Sequence, residues 1–394
     1  MDNIQEEKRS MKICLLSDFD FRFSGYFNVA ISIGSGLGLR GHNIKAIGLG
    51  YLGEEHDFPF SIIPCRNFQE SIAMLQNLLQ IWKFDILLIA MDIPVQEQYL
   101  AYLRSNGMNI PYVGIMPIEA DPLCMTWALN LMSMDKALII SQFGTEEARK
   151  VGVEAEYMPV GINSDAWRFA NPEERTALRN ALGFKENDYI VLTVAYNQER
   201  KFLSRSMEMF VEFHKQIPNS KYVMVTAEQS TVGWRLQDLA QEFGIGSELI
   251  IIERGMSQNR LWGIYVASDV FLISSKAEGM CLPILEAMAS GIPCIGTDCT
   301  GIHELLSDGR GRLIPYDYTI RDPFGNGRRY YASRSKGAKL LLETYNSDNT
   351  EMIKKAKEFA NTREWSKSVD IVETTLQKVM KKREKTNVEE PQKV

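Results

Sequence analysis

Two acidic side chains, Glu278 and Glu286, stand with seven residues between them in the stretch SSKAEGMCLPILEAMASGIPCIG, residues 274 to 296. The stretch follows an apolar run that ends at Ser274. Pro283 suits the first turn of a helix, where its missing N–H is not needed, so a helix is expected to begin near Leu282. That puts Glu278 in the loop and Glu286 one turn inside the helix. Gly279 lets the backbone approach a ligand closely, and the uncapped amides of Met280, Cys281 and Leu282, with the helix dipole behind them, form an anion site that would fit a diphosphate. A second loop, in VAYNQERKFLSRSMEMFVEF (194 to 213), places Asn197, Arg200 and Lys201 after another apolar run. Fixed cations are what a departing diphosphate needs, because negative charge grows on it as its bond breaks.

The elements that must position these residues follow from the pattern of the chain. Short apolar runs read as strands at 12–17, 43–48, 85–90, 112–116 and 136–140, with helical patterns between them. The alternation restarts after Gly161-Ile162-Asn163, with strand-like runs at 189–195, 221–226, 248–252, 269–274, 292–296 and 311–314. This predicts an α/β chain of two doubly wound, parallel-sheet, Rossmann-like domains facing across a cleft, with ligands at the carboxyl edges of the strands. The expected divisions are a flexible extension at 1–10, a first Rossmann-like domain at 11–163 and a second, which carries both loops, at 164–365. A C-terminal helix at 366–384, packing back on the first domain, and a disordered tail at 385–394 complete the chain. Residues 316–335 read as an irregular surface excursion, and 351–383 as helical.

The paired glutamates in EGMCLPILEAMASGIPCI resemble the signature of glycosyltransferase family 4, which has the GT-B fold. The resemblance covers nearly all of 11–315 and includes GTDCTGIHELLSDGRGRLIP, which is similar to the family's next strand, glycine turn and Gly-x-x-Glu helix. It implies that Glu278 touches the donor sugar's hydroxyls, that Glu286 holds the nucleotide's ribose, and that Arg200 and Lys201 grip the donor's phosphates, with Asn197 in the same loop. In the first domain FRFSGYFNVA, SQFGTEEARKVGV and MPVGIN match more loosely, and Gly25 corresponds to the family's glycine loop near the phosphate and the acceptor. Many members carry a histidine after the fourth strand, where this chain reads IMPIEAD, so Glu119 or Asp121 is expected to serve there. Asn163 stands where the family's Gly-x-Asp turn has aspartate.

The expected activity is that of a retaining glycosyltransferase, hexosyltransferase-like, which uses a nucleoside-diphosphate sugar such as a UDP- or GDP-sugar and needs no obligatory metal or other cofactor. The acceptor is open: glycan, lipid, protein, small molecule or nucleic acid. Other GT-B chemistry, a phosphorylase or a nucleotide-sugar epimerase, and a non-catalytic nucleotide-sugar-binding scaffold are the alternatives. In the loop DFDFRFSGYFN (18–28), Phe19, Phe21 and Phe23 alternate with Asp20 and Arg22; the favoured reading is packing beneath the sheet, and the other is contact with an acceptor.

Composition narrows the remaining classes. A formal net charge of -6 argues against a general nucleic-acid binder, and 45% hydrophobic with 24% charged residues is ordinary for a globular protein. No apolar stretch is long enough to cross a bilayer and Met1 to Ser10 is too charged for a signal peptide, so a cytoplasmic protein is expected, with peripheral membrane contact left open. Cys14, Cys65, Cys124, Cys281, Cys294 and Cys299 show no C-x-x-C pair and read as reduced core thiols. Gly36, Gly38 and Gly41 spell G-x-G-x-x-G too far after the first strand to hold phosphate, which leaves helix packing and capping. Asp18-Phe19-Asp20 imitates a metal-binding D-x-D in a sheet pattern of the wrong type. His42, His56, His214 and His303 form no spaced pair and read as packing residues.

Overall fold

The computed structural model describes residues 9–20, 24–119 and 121–389, with side chains through residue 385. Most of the expected flexible extension (residues 1–8), the loop residues Phe21, Arg22 and Phe23, and the last five residues of the expected tail lie outside the described residues.

Seven parallel strands form the first sheet: β1 (Lys12–Asp18), β2 (Asn43–Leu49), β3 (Ser61–Cys65), β4 (Ile86–Ala90), β5 (Tyr112–Met116), β6 (Lys136–Ile139) and β7 (Ala155–Tyr157). Their order is β3-β2-β1-β4-β5-β6-β7. Around them lie α1 (Gly25–Leu39), α2 (Phe68–Ile81), α3 (Ile93–Ser105), α4 (Met125–Met132) and α5 (Gln142–Lys150). After α6 (Pro172–Ala181) the pattern restarts with β8 (Tyr189–Val194), α7 (Leu203–His214), β9 (Ser220–Val225), α8 (Leu236–Glu242), β10 (Leu249–Ile252), α9 (Gln258–Ala267) and β11 (Val270–Ile273). The second sheet is completed through α10 (Leu282–Ala289), β12 (Cys294–Thr297), α11 (Thr300–Leu306) and β13 (Arg312–Ile314). Its order, β10-β9-β8-β11-β12-β13, is again parallel throughout.

Both sheets are buried on both faces, which is why their strands read as continuous apolar runs; all five positions of β4 and of β5 are buried. One apolar cluster runs without a break from Ile13, Leu15 and Leu88 of the first sheet to Ile190, Leu192 and Phe271 of the second. In each sheet the chain moves outward from the first strand and then returns to its other side, so β1/β4 and β8/β11 are topological switch points. Loops leaving these strands at their carboxyl ends splay apart and leave room for a ligand.

Strands β3 and β7 were not apparent from the sequence: Pro64 breaks the propensity signal of β3, and β7 has three residues. A larger correction concerns 316–335. This segment is an antiparallel hairpin of β14 (Tyr316–Arg321) and β15 (Arg328–Ala332), turning through Gly325 and Asn326 at positive φ. All six residues of β14 are exposed, so it lacks the one-sided apolar alternation by which a half-buried strand is read. Helices α12 (Arg334–Asn346) and α13 (Thr350–Asn361) follow, and α14 (Trp365–Glu389) runs on past residue 384 into the stretch read as tail.

Helix α14 crosses back to the first domain and lies against α1. A Cβ on Gly36 would fall 2.3 Å from Val369 Cγ2, so this glycine of the G-x-G-x-x-G run is a helix-crossing point, while Gly41 takes φ +89° just past the end of α1. Glu373 receives Arg40 at 2.7 Å and faces His42 at 3.3 Å. The two chain crossings between domains are neighbours: Ile162 N donates to Arg363 O at 2.7 Å, and Gly161 leaves no room for a Cβ beside Trp365. No helix among the described residues is long and apolar enough to cross a membrane. All six cysteines are unpaired, five of them buried and Cys124 half-buried.

Candidate active site

Four loops converge where the switch points of the two sheets face each other. From the second domain come the β8–α7 loop, a short 3-10 turn at Glu199–Lys201, and the β11–α10 loop; from the first come the turn into α1 and the segment after β5. The 3-10 turn enters α7 through Phe202 at φ +52°, an unfavourable conformation for a bulky side chain, held by a hydrogen bond from Ser274 Oγ to Phe202 O at 2.8 Å. This sharp entry turns Arg200 and Lys201 inward. Arg200 Nη1 lies 2.9 Å from Glu278 Oε2, and Lys201 Nζ 2.5 Å from Glu278 Oε1.

Glu278 is 3% exposed and held from every side. Ser275 Oγ donates to its Oε1 at 2.6 Å, its amide donates to Thr300 Oγ1 at 2.8 Å, and its carbonyl accepts from Gly301 N at 3.0 Å. Burial alone would raise its carboxyl, but Lys201 and Arg200 together with hydrogen bonds from Lys201 and Ser275 hold it at about 2. Glu278 is therefore an ionised acceptor at neutral pH.

Helix α10 begins at Leu282 with Pro283 in its first turn and no capping side chain. Gly279 is required by a close approach between domains: a Cβ there would sit 2.3 Å from Pro117 Cβ. A Cβ on Gly25, the first residue of α1, would lie 3.8 Å from Leu282 Cδ1. The glycine turn of the first domain and the start of α10, with Met280 and Cys281 before it, thus face one another. Glu286, one turn in, accepts from the Tyr265 hydroxyl at 2.8 Å; burial pushes its carboxyl up to about 7, and the Tyr265 bond counters this in part.

Glu119 and Asp121 occupy different positions. Glu119 reaches into the cleft, with Oε2 3.1 Å from Arg200 and Oε1 3.4 Å from Arg329. Burial raises its carboxyl, opposed by Arg200 and Arg329 and reinforced by Glu278 and Asp92. Asp121 belongs to a joint between domains: Arg328 Nη2 approaches both its oxygens, at 2.8 and 2.9 Å, and Tyr330 donates its hydroxyl to it. Asp92, after β4, accepts from the Tyr26 hydroxyl across the β1/β4 switch point.

Asn197 stands in the β8–α7 loop, just before the 3-10 turn. It is fully buried, and its amide braces the 227–234 loop: Nδ2 donates to Ala227 O at 3.0 Å and Trp234 O at 2.7 Å, and Oδ1 accepts from Trp234 N at 2.9 Å. These bonds satisfy the donors of its side-chain amide. Phe19 is also buried, meeting Phe27 and Phe60 edge to face. Asp18 Oδ1 accepts from Asp20 N at 2.8 Å. Of the Gly-x-x-Glu element, Glu304 crosses to the first domain and accepts from Gln142 N at 2.8 Å and Phe143 N at 3.2 Å, at the start of α5.

Sequence reasoning missed Tyr26, Asp92, Tyr265, Ser275, Thr300 and Arg329. Thr300 had a local signal, as the residue before the glycine of that element, and its φ of +42° is strained for a β-branched residue. Arg329 had none, because its partners Glu119 and Asp322 are set by the hairpin and by domain closure.

Residues 174–319, which include Arg200, Lys201, Glu278 and Glu286, match the family described as glycosyl transferases group 1. The alpha-monoglucosyldiacylglycerol synthase of Acholeplasma laidlawii is 29% identical over 165 residues, 41% of this chain and 40% of that protein. The UDP-Gal:alpha-D-GlcNAc-diphosphoundecaprenol alpha-1,3-galactosyltransferase of Escherichia coli is 27% identical over 192 residues, 47% of this chain and 46% of that protein. The match therefore spans less than half the length of either relative. Among solved structures, sucrose-phosphate synthase from Thermosynechococcus elongatus superposes with a TM-score of 0.75 at 15% identity, covering 94% of this chain and 99% of that one. Anabaena HepE in complex with UDP and glucose gives 0.72 at 16% identity, covering 93% and 100%. The stretch 174–319 of the second domain is thus similar to glycosyl transferases group 1, and the chain as a whole has the GT-B fold.

Proposed function

We propose that this chain transfers a sugar from a nucleoside-diphosphate sugar to an acceptor hydroxyl, with retention of anomeric configuration. The observation that carries the reading is the convergence of Arg200 and Lys201 on Glu278 beside the uncapped start of α10. In the donor complex the diphosphate takes over the two cations and the first amides of α10, and Glu278 turns its lone pairs to the sugar's hydroxyls. Glu286 accepts from the ribose. Charge that develops on the leaving diphosphate meets donors already in place, in a site closed by the first domain, and this preorganisation lowers the barrier.

Two carboxylates are engaged with the cations: Glu278 by both, Glu119 by Arg200. Their role is to orient and to balance charge, and the leaving phosphate itself takes the acceptor proton on the face it departs from, which accounts for retention. HepE was solved with UDP-glucose, which makes uridine donors the first to try.

The test incubates the protein with UDP-, GDP- and ADP-sugars and a mixed acceptor panel, following nucleoside diphosphate release and the anomeric proton of the product by NMR. Transfer with a retained anomer is expected. Absence of binding to every donor overturns the reading, and an inverted product overturns the stereochemical part alone.

A further inference from the structure

The hairpin β14–β15 leaves the second domain and lies on the segment that follows β5 of the first. Arg328 N donates to Asp121 O at 2.9 Å while its guanidinium grips the Asp121 carboxylate, and burial of that carboxylate is outweighed by Arg328 and Tyr330, which hold it below its ordinary range. At the tip, Phe324 meets Trp127 edge to face at 4.9 Å, and Gly325 presses so closely on the indole that a Cβ would come within 2.5 Å of it. The hairpin is thus held at its tip and, on β15, at Arg328 and Tyr330, the two neighbours of Arg329.

Arg329 is 4% exposed. Its Nη2 makes only a long contact to Glu119, at 3.4 Å, and its Nε stands 3.5 Å from Asp322. Among the described residues, Nη1 and Nε have no hydrogen-bond partner at all. A guanidinium has five donors in a planar fork, and buried donors left unpaired are costly enough that each needs an explanation. Position supplies one. Lys201, Glu278, Arg200, Glu119 and Arg329 form a chain of alternating charge, in which Arg329 is two carboxylates away from Lys201 and on the side of the first domain. It stands on the other side of Glu119 from Arg200, one of the two cations given to the donor's diphosphate. Its guanidinium lies over the ring of Phe324, 5.9 Å from the centroid, and that ring is 41% exposed.

We propose that Arg329 binds an oxyanion carried by the acceptor, a phosphate or a carboxylate, so that the acceptor of this chain is an anionic molecule. The inference rests on the transferase reading above. The fork of Arg329 matches either oxyanion in bidentate fashion. Glu119, released in part by the donor's arrival at Arg200, stays between the two anions and keeps them apart.

The test loads the protein with whichever of UDP, GDP or ADP raises its melting temperature most, which occupies Arg200 and Lys201, and then titrates inorganic phosphate and, separately, acetate by calorimetry. One of the two is expected to bind with unit stoichiometry, and the tighter one names the acceptor's anionic group. Arg329→Gln should weaken that binding at least tenfold with nucleotide affinity within twofold of wild type. Arg329→Lys, which keeps the charge without the fork, should fall between and serves alone if the glutamine variant does not fold. Failure of both oxyanions to bind the loaded protein, or unchanged binding in the variants, overturns the proposal. If no nucleoside diphosphate binds, the transferase reading has failed instead, and this inference falls with it.

Discussion

Tyr265 donates its hydroxyl to Glu286 Oε2 at 2.8 Å, and both side chains are buried beside the first turn of α10. With its carboxyl pushed up from 4.5 to about 7 by burial, Glu286 binds a proton more tightly in the folded chain than in the unfolded one. Its contribution to stability is then complete below about pH 4.5 and is lost as pH rises through about 7. Glu286→Gln, which imitates the protonated form, is expected to melt with the wild type at pH 5 and above it at pH 8. Equal differences at both pH values would show that the carboxyl does not titrate in this range.

The same carboxylate accepts from the ribose in the proposed complex. Wild-type affinity for a nucleotide sugar should therefore rise from pH 6 to pH 8, whereas Glu286→Gln gives a flat profile. Glu286→Ala should lose about 1 to 3 kcal/mol of donor binding, the usual range for a missing hydrogen-bond partner. Calorimetry across pH is the measurement, and unchanged donor affinity in a folded alanine variant removes the ribose role.

Removing both cations is expected to damage more than turnover. Arg200→Ala with Lys201→Ala leaves Glu278 buried without a counter-charge, and breaking a buried pair by deleting one side commonly costs about 3 to 5 kcal/mol. Adding Glu278→Gln should restore most of the lost melting temperature and none of the activity, since the pairing energy and the catalytic charge reside in the same residues. A double variant that melts within a degree or two of wild type would contradict the buried network.

Gly279→Ala separates nucleotide binding from closure. The added methyl collides with Pro117 of the opposite domain and with no atom of its own, so the second domain should still bind nucleoside diphosphate. The expected result is nucleotide affinity within a fewfold of wild type and turnover reduced at least tenfold, because a misplacement on the order of 1 Å can cost about a hundredfold in rate. Undiminished turnover would mean that the closed arrangement is not the working one.

The seam between α1 and α14 gives a stability prediction. Gly36→Ala should destabilise by about 1 to 3 kcal/mol through overpacking, and Val369→Ala in the same chain should return part of the loss. Denaturant melts of the four chains decide it, and strictly additive effects would place the two residues out of contact.

What the sequence discloses about this molecule depends on the range over which each signal acts. The start of α10 was readable because Pro283 and the apolar run before Ser274 are local, and the buried strands were readable because both faces of each sheet are covered. The bracing role of Asn197 was not legible for a related reason: its position in a loop after β8 is local information, but its bonds to Ala227 and Trp234 are not. The hairpin gave no alternating pattern because its first strand is exposed on both faces. Arg200 and Glu119 are 81 positions apart and lie in different domains, and no spacing rule relates them.

The position of α14 has a consequence for how the molecule is made. Val369, Val372 and Leu376 share a single apolar cluster with Ile33 and Leu37 of α1, yet they are synthesised after the entire second domain. During translation the first domain emerges with this flank bare, and it cannot finish assembling until α14 leaves the ribosome and returns. The nascent chain therefore carries an uncovered apolar seam for the time taken to make more than half of the protein, and over that interval the seam is open to aggregation.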